Sequence, residues 1–202
     1  MANDGTMSFF VTSRGPGDGG DLGGLEGADA FCRELAVAGS PSSSSRTWRA
    51  YLSTSSVDAR DRIGTGPWRN QAGAIIANDL EQLHDQLTGG TLDSTWPVND
   101  FSVPLDEQGN EAEPSVHDIL TGSELDGTVA EGLHCSDWTS NSSSDMAQIG
   151  HANRAGLEGQ DPSWNSVHSV GCAASETNRA QGTVTQGGGR GSIYCFAVIV
   201  SG

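Results

Sequence analysis

The sequence predicts an α+β fold, with two helices packed on a small, twisted, mostly antiparallel sheet and long loops. Three observations predict it. Residues 25–37 (LEGADAFCRELAV) carry a helical period, with Leu25, Ala28, Cys32 and Leu35 at i, i+3, i+7 and i+10. Short apolar or alternating runs at 7–13, 47–53 and 192–200 read as strands. The 28 glycines among 202 residues leave much of the remaining chain to turns and loops.

The elements follow in order. Residues 1–6 are polar and expected to be a disordered leader, so a single domain is predicted over 7–202. Residues 7–13 (MSFFVTS) form the first predicted strand, with Phe9, Phe10 and Val11 as core candidates. Residues 15–24 (GPGDGGDLGG) form a Gly-rich loop into the helix at 25–37, which turns Cys32 inward. In 47–53 (TWRAYLS), Trp48, Ala50 and Leu52 alternate with Arg49 and Tyr51, as in a half-buried strand. A helical turn is expected at 57–63, a break at Gly66-Pro67-Trp68 and a buried strand at 74–77. Asn78 or Asp79 caps a second helix that runs to Leu87, with Leu80, Leu83 and Leu87 on one face. Residues 88–118 are acidic, weakly periodic and expected to be irregular. From Ile119 short strands alternate with Gly/Ser/Asn turns, and 192–200 is the expected central closing strand.

Charge narrows the function classes. The net charge is −16, from 26 acidic and 10 basic residues, and every basic residue is Arg. Without Lys there is neither a P-loop nor a Schiff-base amine. Nucleic-acid binding, which needs a basic face, is not expected. Four cysteines without C-x-x-C spacing point to disulfides and an oxidising compartment. No apolar stretch approaches the length of a membrane span, and an export signal is expected upstream of the sequence as it stands.

Several motifs then line up in order: FFVTS, DLGGLEGAD, the Cys32 helix, RAYLS, Gly66-Pro67-Trp68, TGSELDG, Cys135-Ser136-Asp137-Trp138 and IYCFAV. In that order the chain resembles the endostatin-like branch of the C-type lectin fold, including bacterial surface and secreted proteins with such a domain. The resemblance runs over roughly residues 7–200. It implies nested disulfides, Cys32 with Cys195 and Cys135 with Cys172; four cysteines alone leave three pairings open. It also implies an extracellular or cell-surface location.

Sugar-binding members of that fold use Ca²⁺, through one triplet before the inner cysteine pair and another within it. The resemblance places Glu124-Leu125-Asp126 at the first position and Trp164-Asn165-Ser166 at the second, with Glu131 as a further carboxylate. Glu124, Asp126, Glu131 and Asn165 are therefore the candidate Ca²⁺ ligands. The first triplet lacks its middle Pro and Ser166 stands in for an Asp, so no tight cofactor is expected, only a weak structural Ca²⁺. Asp18 and Asp21 form a second acidic loop, read mainly as a turn into the helix.

His117, His134, His151 and His168 are evenly spaced, but their flanks differ and scattered core or surface roles are expected. Trp96 is the candidate exposed aromatic contact; Trp164 is a second ligand-binding candidate that reads equally as a core anchor. No G-x-S-x-G or H-E-x-x-H motif is present. The expected function is non-catalytic binding of an extracellular protein or matrix ligand. The alternative is a Ca²⁺-dependent lectin with a glycan ligand. Heparin-like polyanions should be poor ligands for so acidic a chain.

Overall fold

The computed structural model describes residues 7–12, 14–70, 73–85, 117–152, 163–177 and 180–198. The predicted leader 1–6, most of the excursion 88–118, Leu87 and Trp96 lie outside the described residues. Within them the fold is α+β.

Strand β8 (Gly189–Ala197) is the axis of the main sheet. It pairs antiparallel with β1 (Phe9–Val11) and β2 (Trp48–Ala50), and parallel with β5 (Asp118–Leu120). β5 continues antiparallel into β6 (Met146–His151), and β6 into β7 (His168–Gly171). The order is β1-β8-β5-β6-β7, with β2 beside the end of β8. The β5–β8 pairing is the parallel element in an otherwise antiparallel sheet. β3 (Trp68–Arg69) and β4 (Ile75–Ala77) make a separate two-stranded ribbon.

Both faces of the sheet are covered. Ile193, Cys195 and Ala197 of β8 point into one core, with Leu120, Ile149 and Val170. Tyr194 and Phe196 point into the other, with Phe9, Trp68 and Trp164. This two-sided burial changes one expectation. Alternation along 47–53 predicts Tyr51 on a solvent face, yet Tyr51 is fully buried. Trp48, Ala50 and Leu52 enter the first core as predicted, while Tyr51 enters the second.

Helix α1 (Gly24–Gly39) closes the first core. Ala28, Phe31, Cys32 and Ala36 are buried, and Leu25 and Leu35 pack at the margin. Asp29, also buried on this helix, joins it to β2. Its Oδ1 accepts from Ala50 N (2.8 Å) and Arg62 Nη2 (2.6 Å), and its Oδ2 from Arg49 Nη1 (2.5 Å). A buried carboxylate persists only with such partners. Helix α2 (Leu80–His84) starts at Asp79, whose side chain caps it by accepting from Gln82 N. The turn expected near 57–63 is a 3-10 helix over Ala59–Arg62. Disulfides join Cys32 to Cys195 and Cys135 to Cys172, the pairing implied by the resemblance.

Asp29→Ala leaves the half-exposed Arg49 free to turn outward but strands the buried Arg62 guanidinium. The expected loss is about 3–5 kcal/mol of unfolding free energy in urea melts, with an unchanged m-value. A loss below about 1 kcal/mol would show that the node contributes no more than a surface ion pair.

Candidate functional site

Asn165 is fully buried and lies against the turn that carries Glu124 and Asp126, but it reaches that turn through its nitrogen. Nδ2 donates to the carbonyls of Glu124 (2.9 Å) and Leu125 (3.3 Å) and to Tyr51 Oη (3.2 Å). Two carbonyls can face only the donor end of an amide, so the orientation is fixed. Oδ1 accepts from Ser163 Oγ at 3.0 Å. Glu124, Asp126 and Glu131 are exposed. Asp126 folds back on Thr128, accepting from its hydroxyl (2.6 Å) and its N–H (3.0 Å). These bonds, the hydroxyl first, hold the Asp126 carboxyl below its ordinary pKa.

Trp164 is a core side chain, fully buried, with Nε1 donating to Leu83 O at 3.0 Å. In the Gly-rich loop, Asp21 accepts from Gly23 N just before α1, and Asp18 accepts from Asn141 Nδ2. Both carboxylates are engaged in shaping turns.

A relay of polar groups crosses the second core. Asn165 donates to Tyr51 Oη, Tyr51 lies 2.7 Å from His84 Nε2, and His84 Nδ1 lies 2.8 Å from Leu80 O. A backbone carbonyl can only accept, so Nδ1 carries the proton and Nε2 accepts from the tyrosine. Burial pushes the His84 pKa down to about 4, partly offset by the Leu80 hydrogen bond, and pushes the Tyr51 phenol up.

A cleft of about 600 Å³ opens between the Gly15–Gly19 part of the Gly-rich loop and the segments 174–176 and 184–190. Its loop wall is seated directly on backbone. Gly15 N donates to Arg190 O and Gly20 N to Cys172 O. A Cβ at Gly19 would collide with the backbone of 172–174, and one at Gly20 with the Cys135–Cys172 disulfide. Arg14 and Arg190 line the cleft, and both are exposed. Arg14 stacks over Phe31 at 5.0 Å.

The second concentration of chemistry lies at the end of the sheet. Asp118 at the start of β5 pairs in register with His151 at the end of β6, and His168 opens β7 opposite Ile149. Leu120, Ile149 and Val170 all enter the first core, so Asp118, His151 and His168 continue the same face beyond it. His117 Nε2 and His151 Nε2 each lie 3.3 Å from Asp118 Oδ1, and His168 Nε2 lies 3.7 Å from Asp118 Oδ2. Asp118 and His151 are buried; His117 and His168 are partly open. Burial lowers the His168 pKa, against a raising effect from its Nδ1 contact with Ser169 O.

The scattered roles expected for the histidines are therefore corrected for three of them: His117, His151 and His168 gather around one carboxylate. The sequence signal was that each flanks a short apolar run, HDIL, QIGH and VHSV. It placed them at strand ends, but not at the same end of adjacent strands.

A family model described as "Protein of unknown function (DUF1554)" matches residues 16–155. The chain belongs to that family. The matched span runs from the Gly-rich loop through β6, taking in His117, Asp118 and His151, and ends before β7 and β8. No curated protein matches the chain.

Two predictions follow from the Asn165 neighbourhood. Calorimetric titration should give no tight Ca²⁺ site, and Asp126→Ala should leave the trace unchanged. Micromolar binding abolished by Asp126→Ala, with Ca²⁺-dependent retention on glycans, would establish the lectin alternative. The second concerns pH. His84 binds its proton more weakly folded, near pKa 4, than unfolded, near about 6.5. Its contribution is thus intact above about pH 6.5 and lost as pH falls toward 4, because the unfolded chain takes up the proton first. Wild type should lose on the order of 2–3 kcal/mol more than His84→Gln between pH 7 and pH 4. Equal losses in urea melts would remove His84 as the cause.

Proposed function

We propose that this chain is a non-catalytic binding module that works outside the cell or at its surface and recognises a protein or matrix ligand. In this reading the scaffold is C-type lectin-like, of the endostatin-like branch, as the order of its motifs implies. The two disulfides support the oxidising compartment such a role requires.

The observation that carries the reading is the cleft. It is open and preformed, and its loop wall rests on backbone and on a disulfide, so little ordering entropy is lost on binding. Its wall carries two cations, Arg14 and Arg190, against one carboxylate, Glu176, so it is locally more basic than a chain of net charge −16. Two guanidiniums with fork geometry suit a carboxylate on a partner surface, held bidentately. The surrounding negative field works against extended polyanions such as heparin. An exposed Asp or Glu side chain on an otherwise neutral or basic extracellular protein fits both conditions.

The test is surface plasmon resonance of the wild type and an Arg14→Ala/Arg190→Ala variant over immobilised laminin, fibronectin and plasma proteins, with heparin as a further surface. We expect saturable binding to at least one protein, weakened about tenfold or more in the variant, and no retention on heparin. Binding unaffected by the double substitution would move the interface off the cleft. Salt-sensitive retention on heparin would overturn the electrostatic argument.

A further inference from the structure

We infer that His117, Asp118 and His151 form a binding site for a zinc-type divalent transition-metal ion, with His168 placed to complete its shell. The inference does not depend on the proposed binding role of the cleft.

The first support is distance. One ligand atom from each of His117, Asp118 and His151 lies within 4.8 Å of the others. Both imidazole Nε2 atoms stand 3.3 Å from Asp118 Oδ1. A charge-assisted N–H···O bond is shorter, about 2.7–2.9 Å. With metal–ligand bonds of about 2.0–2.1 Å, two vertices of a tetrahedral shell lie about 3.3 Å apart. The two His–Asp spacings therefore match those of neighbouring ligands around an ion, and an ion would take the place of the direct ion pairs.

The second support is how the site is held. Asp118 and His151 are cross-strand partners in the sheet and are almost fully buried, so both donors are positioned by backbone hydrogen bonds. His117 N donates to Gly188 O, and Ala152 N to His117 O, which pins the remaining ligand from both sides. His168 turns Nδ1 toward its neighbour's carbonyl and Nε2 toward Asp118 Oδ2. An outer nitrogen on a backbone carbonyl is the usual support for a metal-binding imidazole.

The third support is room. Gly187 is exposed and lies over the cluster: a Cβ there would reach Asp118 Oδ2 (2.5 Å) and the His168 ring (3.1 Å), so a side chain at 187 would crowd the ligand atoms. The donor set selects the ion. Two imidazoles and a carboxylate, with the His168 imidazole 3.7 Å from the other Asp118 oxygen, suit zinc and its neighbours, whereas Ca²⁺ takes six to eight oxygens. All four cysteines are in disulfides, so thiolates do not compete for it.

The test uses untagged protein, stripped with chelator, titrated with ZnCl₂ by calorimetry and with Co²⁺ by visible absorption. One ion per chain is expected, at micromolar affinity or tighter, with the strong ligand-field bands of four-coordinate Co²⁺ and no competition from millimolar Ca²⁺. Zinc should raise the melting temperature, and chelator should reverse the rise. His117→Gln and His151→Gln should each weaken binding at least about tenfold, while Glu26→Gln on the surface of α1 should not. If His151→Gln does not fold, as circular dichroism and melting would show, the less buried His117→Gln decides. Failure of the folded wild type to take up one equivalent, or uptake unchanged in His117→Gln, would overturn the assignment.

Discussion

The structure depends on β8 being buried on both faces. Three strands pair with it, and its side chains divide between two cores, Cys195 to one and Phe196 to the other. A one-residue slip would exchange the faces. It would carry Cys195 away from Cys32 on α1 and drive Phe196 into the helix. Each fully buried large side chain contributes about 1.5–3 kcal/mol, so the register is fixed by several such terms together with a covalent bond. The second core is aromatic, with Phe9, Tyr51, Trp68 and Trp164 around Tyr194 and Phe196. Ring centroids there approach to 4.7 Å.

A second constraint is local and costly. Cys135, Ser136, Asp137 and Trp138 all have positive φ, between 48° and 64°, and make one left-handed turn without a glycine. Such a conformation costs roughly 1–2 kcal/mol per residue. It is held by groups that cannot relax singly. Cys135 is bonded to Cys172, and Trp138 is buried with Nε1 donating to Ser53 O at 2.7 Å. Asp137 accepts from Ser55 N and Oγ. In return, the turn presents Trp138 O to Leu22 N and sets the Cys135 sulfur beneath Gly20, so the Gly-rich loop has a fixed bed.

The parts legible in sequence were those decided by local pattern. The 3.6-residue period of α1 turned Ala28 and Cys32 inward, and the apolar run containing Ile193 to Ala197 marked the central strand. Loop-rich composition marked the remainder. What periodicity could not show was which strand ends meet. An approach of His151 and His168 is conceivable from the sequence but outweighed by scattered roles, nothing local draws His117 and Asp118 to them, and the β5–β8 parallel pairing that brings Gly189 beside Asp118 has no local signal. Nor could residue type reveal direction. Asn165 offers an oxygen as readily as a nitrogen, and only the carbonyls of Glu124 and Leu125 decide which end faces the turn. Tyr51 was misplaced for a related reason: alternation marks one buried face, and here both are buried.

The cleft and the histidine cluster share a wall. Gly187 lies over the cluster, Gly188 O receives the His117 N–H, Gly189 is the register partner of Asp118, and Arg190 lines the cleft. Gly189 both lines the cleft and lies beside the Asp118 side chain. Glycines are the least constrained residues in the unfolded chain and lose the most entropy when ordered. An ion bound by His117, Asp118 and His151 would therefore act on the segment with most to lose, fixing the backbone that carries Arg190. Arg190 O in turn accepts from Gly15 N across the cleft, so order at the sheet end passes to both of its walls through two hydrogen bonds and one strand pairing. A metal that touches no ligand can in this way sharpen the placement of one of the two guanidiniums offered to a partner.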